Sequence, residues 1–440
     1  MGNDMPDLQQ LFSEAVHLHQ LGQLTEAELL YLQVFRSVPE NINVLANLGI
    51  VCRDLGKLSE AEAYCRRTVA AAPDDPEQHL NLGAVLEAQN NPSGAAAAYE
   101  KALELAPSHP KVLNNLGKLY FQQGRREKGR QLVEQAVRLE PNYPLALNNL
   151  GVIYSEEGDL GRAGWCLEKS VDLDPGNIDA LYNLAGVCNA LGNFDKARTI
   201  LNRLLTIAPQ HQAACHMYAA LSGTTTSSAP REYVEVTFDK YAGRFDQHIQ
   251  NILGYTAPSA LAGLVMAEMP AALPFAAALD LGCGTGLSGA SFRAMTNRLV
   301  GIDVSEGMLA QAAAKSLYDH LEHAEIMPFL LRAEERYDLF IAADVFVYLG
   351  DLQPLFPALD ARTRDGGIVA CSIETSDRPG YELLPSGRYA HNPAYLESCA
   401  AAAGFTVLSR KSHNIRKEKG AWLPGELYLL MKKQESPQTP

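Results

Sequence analysis

The chain has 440 residues, 47% of them hydrophobic, and a formal net charge of −14. This length predicts two or three domains with sizeable cores, and the acidic balance argues against nucleic acid or an anionic membrane as a partner. Eight cysteines without metal-ligand spacing, an acidic N-terminus and the lack of a long apolar run predict a cytoplasmic protein with no metal site and no membrane segment.

The first half of the chain is built from a repeat of 34 residues. Prolines recur at this interval from Pro39 to Pro209, and Leu-Gly steps and turn glycines follow the same period. Small residues in a third register, such as Ala27 and Ala61, let two helices cross closely, so each unit is predicted to be a helix-turn-helix. The pattern resembles the tetratricopeptide repeat, with about six units and a capping helix in a domain at residues 1–221.

An asparagine recurs in mid-helix, directly before the leucine of most units. Asparagine is a poor helix residue, so its repetition suggests a function that offsets the lost stability. The arrangement resembles the repeat array of O-GlcNAc transferase, which implies a groove whose amides hold a peptide or protein partner. The alternative is that these amides bond neighbouring helices within the array. The candidate peptide-binding residues are Asn81, Asn115, Asn149 and Asn183.

A polar stretch of small residues at 222–230 is predicted to link the repeats to a second domain at residues 231–440. This domain opens with aromatic residues at helical spacing between Phe238 and Phe245, which predicts a helix. The segment resembles the one that precedes motif I in many small-molecule-type methyltransferases, which implies an N-terminal helical cap over the cofactor. The composition of this helix alone is equally compatible with a core helix.

An apolar run that begins at Phe275 leads into an acidic residue and three alternate glycines. The run predicts a buried parallel strand, the glycines a tight turn that a ligand can approach, and Leu287 the start of a helix. The glycine spacing differs from the dinucleotide fingerprint. It resembles motif I of class I S-adenosylmethionine-dependent methyltransferases, which implies this cofactor. The residues expected to bind it here are Asp280, Gly282, Cys283, Gly284 and Gly286.

A second predicted strand ends in Asp303, which lies 23 residues after Asp280. This is the distance expected in a βαβ unit whose terminal acid binds both ribose hydroxyls. The same resemblance implies further cofactor contacts, with Met308 packed on adenine, the cap tyrosine near the methionine end, and an acid after a weakly marked third strand near the adenine amino group. These additional cofactor candidates are Tyr241, Val304, Met308 and Glu325.

The segment from Tyr337 to Ala342 predicts another strand, followed by Asp344 and an aromatic loop, and it resembles motif IV of the family. Ligands bind at the carboxyl ends of parallel strands, so Asp344 and Tyr348 are expected beside the cofactor and the transfer site. Later strands would complete a seven-stranded sheet. The predicted fold is therefore multidomain, with an all-α tetratricopeptide superhelix followed by an α/β Rossmann-like methyltransferase domain whose sheet is mostly parallel.

Residues 388–396 are the most informative on the substrate side and resemble bacterial proteins that join tetratricopeptide repeats to a methyltransferase. His391 is the best-suited candidate for a general base because of its intrinsic pKa, and the alternative is that this lone histidine is a structural hydrogen-bonding residue. The alternative bases are Tyr348, Tyr389 and Glu374. Arg388 and Arg416 are candidates to bind a substrate carboxylate or phosphate, or they pair with nearby acids such as Glu374 and Glu418.

These observations leave three hypotheses of function. The first is N- or O-methylation of a polypeptide that the repeat groove presents. The second is methylation of a small metabolite, sugar or carrier-bound intermediate, with the repeats serving assembly. The third is a scaffold with an inactive cofactor site, against which the intact glycines and acids argue.

Overall fold

The computed structural model describes residues 7–246, 249, 254–418 and 420–433, without the side chains of residues 240, 241 and 244. The described residues fall into two compact units, one ending at Val187 and the other beginning at Cys188. None of the described helices combines the length and the apolar character that crossing a bilayer would require.

Paired antiparallel helices of 13 or 14 residues make up the repeats, which confirms the predicted helix-turn-helix units. The turn glycines have positive φ angles, as does Asn90 with a φ of 57° in the slot where glycine is replaced. At the Leu-Gly steps the two helices of a unit approach closely, and a Cβ atom on Gly83 would lie 2.4 Å from the ring of Tyr99. The helices are α1 Leu8–Gln20, α2 Leu24–Ser37, α3 Ile42–Asp54, α4 Leu58–Ala71, α5 Pro76–Ala88, α6 Pro92–Leu105, α7 Pro110–Gln122, α8 Arg126–Leu139, α9 Pro144–Glu156, α10 Leu160–Leu173, α11 Ile178–Ala190, α12 Phe194–Ile207 and α13 Gln212–Leu221.

The second unit contains a seven-stranded sheet in the order β3-β2-β1-β4-β5-β9-β8, and β6 pairs with β7 in a separate small sheet. Strands β1 to β5 are parallel, whereas β9 runs antiparallel between β5 and β8. The strands are β1 Phe275–Leu281, β2 Thr296–Asp303, β3 His320–His323, β4 Tyr337–Ala342, β5 Thr363–Glu374, β6 Tyr381–Leu383, β7 Tyr389–His391, β8 Phe405–Glu418 and β9 Ala421–Lys432. This confirms the predicted mostly parallel sheet.

Helices pack on the sheet of the second unit, and apolar clusters fill the space on its two faces. The helices are α14 Arg231–Tyr241, α15 Ala257–Glu268, α16 Leu287–Phe292, α17 Glu306–Ala314, α18 Ile326–Arg332, α19 Leu355–Arg362 and α20 Pro393–Ala402. The strand order reverses between β1 and β4. In open α/β sheets this switch point is where a crevice opens at the carboxyl ends of the strands.

The segment predicted as a linker is bonded to the second unit rather than free of it. The backbone N–H of Ala229 donates to the carbonyl of Tyr348 at 3.0 Å, and the carbonyl of Ser227 accepts from Asp351 at 2.7 Å. The preceding helix α13 also contacts this unit, because Nε2 of His216 lies 2.9 Å from the carbonyl oxygen of Gly387. The unit that carries the sheet therefore begins before the predicted linker, in α11.

Candidate functional site

A cavity of about 420 Å³ lies at the switch point of the sheet. Its walls come from the carboxyl ends of β1, β2 and β4, from the cap helix α14, and from arginines on β8 and on the β6–β7 hairpin. The lining includes eleven residues that the sequence placed in the site: Gly282, Cys283, Gly284, Asp303, Val304, Met308, Glu325, Asp344, Tyr348, Arg388 and Arg416.

The loop after β1 forms one wall with its backbone. Gly282, Gly284 and Gly286 have φ angles of 63°, 54° and 89°, a region that L side chains rarely adopt. A Cβ atom on Gly284 would meet no other atom within 4 Å, so the space beside this backbone is open. The amide of Cys283 donates to the carbonyl of Ile302 at 2.9 Å, which holds the loop against β2. Helix α16 then begins at Leu287, as predicted.

Asp280 is fully buried near the end of β1, two residues before Gly282, and is not among the residues that line the cavity. Its Oδ2 atom accepts a hydrogen bond of 2.6 Å from the hydroxyl of Tyr318, but its Oδ1 atom has no partner among the described residues. Burial raises the pKa of Asp280 to about 7. A buried oxygen without a partner is costly, so this atom marks a place where a ligand or water completes the site.

Asp303 ends β2 and bonds the loop that follows β1 as well as the loop that follows β2. Its Oδ2 atom accepts from the amide of Gly284 at 2.8 Å, and its Oδ1 atom accepts from the amide of Ser305 at 2.9 Å. Burial raises the pKa of Asp303, although these N–H donors oppose the shift. Each carboxylate oxygen keeps a further lone pair for a hydroxyl of a ligand.

The residues predicted to contact adenine lie together at one part of the cavity wall. Met308 is buried in helix α17, and Val304 precedes it at the cavity wall. Glu325 lies between β3 and α18, directly before the first residue of that helix, and the guanidinium of Arg231 lies 3.4 Å from its Oε1 atom. The wall here combines an apolar side chain with one acid, which suits a flat heterocycle that carries an amino group.

Two acids of the cap bond it to the loops that follow β1 and β2 and to helix α17. Asp239 accepts hydrogen bonds from the hydroxyl of Ser305 and, at 3.1 Å, from the amide of Gly307. Asp246 accepts from the hydroxyl of Thr285 and forms an ion pair of 2.5 Å with Lys315. We call these contacts of Asp239 and Asp246 the cap clasp.

Charged groups meet at the far side of the cavity, at the ends of β4 and β5. Asp344 has a φ of 60° and is held by an ion pair with Arg416. Arg416 also pairs with Glu374, and Arg388 lies 3.3 Å from Glu374. Arg388 pairs in addition with Glu418. The arginines thus pair with acids of the protein, the alternative that the sequence left open. We call Asp344, Tyr348, Arg388 and Arg416 the transfer end of the cavity.

His391 and Tyr389, predicted as possible bases, do not line the cavity. The Nε2 atom of His391 lies 2.8 Å from the carbonyl of Leu349 and 3.0 Å from that of Gly350, and its ring stacks on Tyr395. Burial lowers the pKa of His391 to about 4. Tyr389 is buried with its hydroxyl 2.5 Å from Oγ1 of Thr226. Both side chains are used in packing the β6–β7 hairpin, and the geometry gives them no position from which to take a proton from an acceptor in the cavity.

The asparagine register lies in the repeats, half-buried at every position. Nδ2 of Asn149 donates to Oδ1 of Asn114 at 2.8 Å, and Nδ2 of Asn183 donates to Oδ1 of Asn148 at 3.0 Å. These bonds join neighbouring repeats and use part of the hydrogen-bonding capacity of the amides. The side chain of Tyr241, the remaining cofactor candidate, lies outside the described residues.

Tyr318 and the two acids of the cap clasp were not singled out from the sequence. Tyr318 lies between helix α16 and strand β2, where a Cβ atom on Gly289 or Gly301 would come within 2.6 or 2.8 Å of it. The two Phe-Asp pairs in the cap were the visible signal for Asp239 and Asp246, since they recur at a helical spacing of seven residues.

Models of two kinds of protein family match this chain. A family model described as a methyltransferase domain matches residues 279–369, and models of the tetratricopeptide repeat match residues 40–108, 86–150 and 154–221. The chain therefore carries a methyltransferase domain and tetratricopeptide repeats.

Curated relatives match the methyltransferase region. The chain is 39% identical over 143 residues to human methyltransferase-like protein 27, covering 32% of this chain and 57% of that protein. It is 30% identical over 147 residues to the malonyl-[acyl-carrier protein] O-methyltransferase of Enterobacter lignolyticus strain SCF1, covering 33% and 55%. The chain thus spans little more than half the length of these relatives. Among solved structures, the APC/C hetero-tetramer Cut9–Hcn1 matches with a TM-score of 0.45 and 20% identity, over 50% of this chain and 43% of that one.

Proposed function

We propose that the protein is a methyltransferase that uses S-adenosylmethionine. The observation that carries the proposal is the buried Oδ1 atom of Asp280, which has no partner among the described residues and precedes three left-handed glycines. Asp280 would meet the amino group of the cofactor, directly or through water. The other contacts would come from Asp303 to the ribose and from Met308 and Glu325 to the adenine.

S-adenosylmethionine supplies an electrophilic methyl group on a sulfonium. The protein's part is alignment and the exclusion of water. Phe238 and Tyr348 pack at 5.5 Å between ring centroids, and Phe238 contacts Phe245 at 6.1 Å, so aromatic rings cover the cavity on the side of the cap. The cap clasp holds these rings over the loops.

The finer proposal is N- or O-methylation of a polypeptide that docks on the repeats. The half-buried asparagines of the repeats support it, because each amide keeps at least one donor or acceptor beyond the bond that joins it to a neighbour. The alternative is a small metabolite, sugar or carrier-bound acceptor, with the repeats serving assembly. The bonds between Asn149 and Asn114 and between Asn183 and Asn148 favour this alternative, because they give the amides a structural use.

The test uses S-adenosylmethionine with a tritiated methyl group and an extract of the cells that make the protein, separated into macromolecules and small solutes. Label in a polypeptide supports docking by the repeats, whereas label only among solutes supports the alternative. The chain would be a scaffold without activity if calorimetry detected no cofactor binding.

Paired variants separate docking from folding. N115A/N149A removes two asparagines of the repeated register. The control N114A/N148A removes the buried partners of the bonds between repeats but keeps the asparagines of the register. The first pair should abolish labelling of a polypeptide, and the second should retain it at matched thermal stability. Equal labelling by both pairs would reject docking through these amides.

We also propose a cytoplasmic location. All eight cysteines lie within the described residues, none of them forms a disulfide there, and seven of them are buried. A reducing compartment suits this pattern.

A further inference from the structure

If the proposed function holds, the side chains at the transfer end of the cavity indicate the chemical class of the methyl acceptor. Asp344, Tyr348, Arg388 and Arg416 face the cavity there, whereas Glu374 and Glu418 do not line it. The surface offered to an acceptor thus carries two guanidinium groups against one carboxylate. Glu374 is only 4% exposed and lies behind this surface.

At the transfer end, none of the described residues lining the cavity is well suited to accept a proton from an acceptor. They include no histidine and no lysine. Burial raises the pKa of Tyr255, of Tyr348 and of Cys283, so all three stay protonated at neutral pH. The remaining acid at the transfer end, Asp344, is engaged by Arg416. An acceptor that must lose a proton, such as an ammonium or an alcohol, finds no free base here.

Arg388 is the group best placed to hold an anion. It lines the cavity with its side chain 21% exposed. Its Nη2 atom pairs with Glu418 and its Nε atom lies near Glu374. Among the described residues, none pairs with its Nη1 atom. Glu418 is 35% exposed, so it can turn to water when an incoming carboxylate takes its place on the guanidinium.

We propose that the acceptor is a carboxylate, that Arg388 binds it, and that the product is a methyl ester. A carboxylate oxygen uses a lone pair to form the new C–O bond while the methyl–sulfur bond breaks and its electron pair stays on sulfur. The negative charge of the carboxylate and the positive charge of the sulfonium are both consumed. No proton is transferred, which fits a transfer end without a base.

The test is the alkali lability of the transferred label. Mild alkali hydrolyses a methyl ester to methanol, so the tritium attached by the protein should become volatile, in the macromolecular fraction for an acidic side chain or chain terminus and in the solute fraction for a small acid. Label that stays non-volatile overturns the carboxylate proposal but leaves the methyltransferase intact. Cofactor binding without any alkali-labile label also overturns it. Absence of cofactor binding in calorimetry instead rejects the proposed function itself.

Arginine variants test the role of Arg388. R388M should raise the KM for the labelled acceptor at least tenfold, and R388K should recover part of the loss, with the Kd for S-adenosylmethionine within about twofold in both. The matched control is R378M, which removes an arginine that is 74% exposed and lies outside the cavity lining. An R388M variant with an unchanged KM would overturn the assignment of Arg388.

Discussion

The hydroxyl of Tyr318 donates to Oδ2 of Asp280 over 2.6 Å, and the same hydroxyl accepts from the amide of Gly289 at 3.0 Å. One tyrosine thus connects the acid at the end of β1 to the helix that follows the glycine loop. It fixes the carboxylate so that its other oxygen is left for a ligand. The geometry of the cofactor site therefore depends on a side chain 38 residues further along the chain.

Replacing Asp280 with asparagine should weaken binding of S-adenosylmethionine about 30-fold or more, since truncating one partner of a buried charge pair costs roughly 2 kcal/mol or more. Isothermal calorimetry measures the change. The control is D365N, which removes an exposed acid in the turn within β5. Cofactor affinity in D280N equal to that of D365N would remove Asp280 from the site.

Cofactor affinity should rise with pH between about 6 and 8. Burial raises the pKa of Asp280 to about 7, so the cofactor-free protein holds a proton there below this pH and must release it to present a charge. The folded protein binds the proton on Asp280 more tightly than the unfolded chain does. The resulting stabilisation is fully present below the pKa that Asp280 has in the unfolded chain, and it is lost as the pH rises through 7. Asparagine does not titrate in this range. The free energy of unfolding of D280N relative to that of the wild type should therefore rise by about 2–3 kcal/mol between pH 5 and pH 8. A constant difference across this range contradicts the assignment.

Replacing Tyr318 with phenylalanine should lower the free energy of unfolding by about 1–2 kcal/mol, because two buried hydrogen bonds are lost. The bond from Tyr318 lowers the pKa of Asp280 against the larger effect of burial, so its loss should move the midpoint of cofactor binding to higher pH. Denaturant titration and calorimetry at several pH values measure both effects. If the pH midpoint of cofactor binding is the same as in the wild type, Tyr318 contributes packing but does not influence the ionisation of Asp280.

Breaking one contact of the cap clasp should speed release of the cofactor. D246N loses the ion pair with Lys315, whose two side chains are 30% and 37% exposed, so we expect only about 1 kcal/mol of lost stability. The dissociation rate of S-adenosylmethionine should rise about three- to tenfold in stopped-flow measurements, since the cap covers the cavity. E232Q changes an exposed acid of helix α14, in the part of the cap that precedes Asp246, and should leave the rate unchanged. Equal dissociation rates in the two variants would show that the contacts of Asp246 do not retain the cofactor.

His391 should matter for stability and not for the methyl-transfer rate. H391Q should lower the free energy of unfolding by about 2 kcal/mol at pH 7.5, while label transfer stays within about threefold of the wild type. Because burial lowers the pKa of His391 to about 4, its stabilising contribution is complete above about pH 6.5 and is lost as pH falls towards 4. The stability difference between H391Q and wild type should shrink over that range. A loss of transfer greater than 100-fold would restore the general base predicted from the sequence.

The sequence by itself determined the architecture. The 34-residue period predicted the helix pairs, and the apolar runs ending in Asp280, Asp303 and Asp344 predicted the parallel strands and the edge where the site lies. These features were readable because they are local: a turn glycine, a helix period or a buried strand depends on residues within a few positions of one another.

Only the tertiary structure decided which side chains meet. Arg416 pairs with Asp344 across 72 residues, and the Nε2 atom of His391 lies beside the carbonyl of Leu349 across 42 residues. The sequence does not distinguish a histidine that faces a cavity from one that bonds a backbone carbonyl, because the intrinsic pKa is the same in both cases. The pairing of the arginines with acids and the burial of His391 follow from strand order and hairpin packing, which bring distant residues together, and no local pattern encodes those contacts.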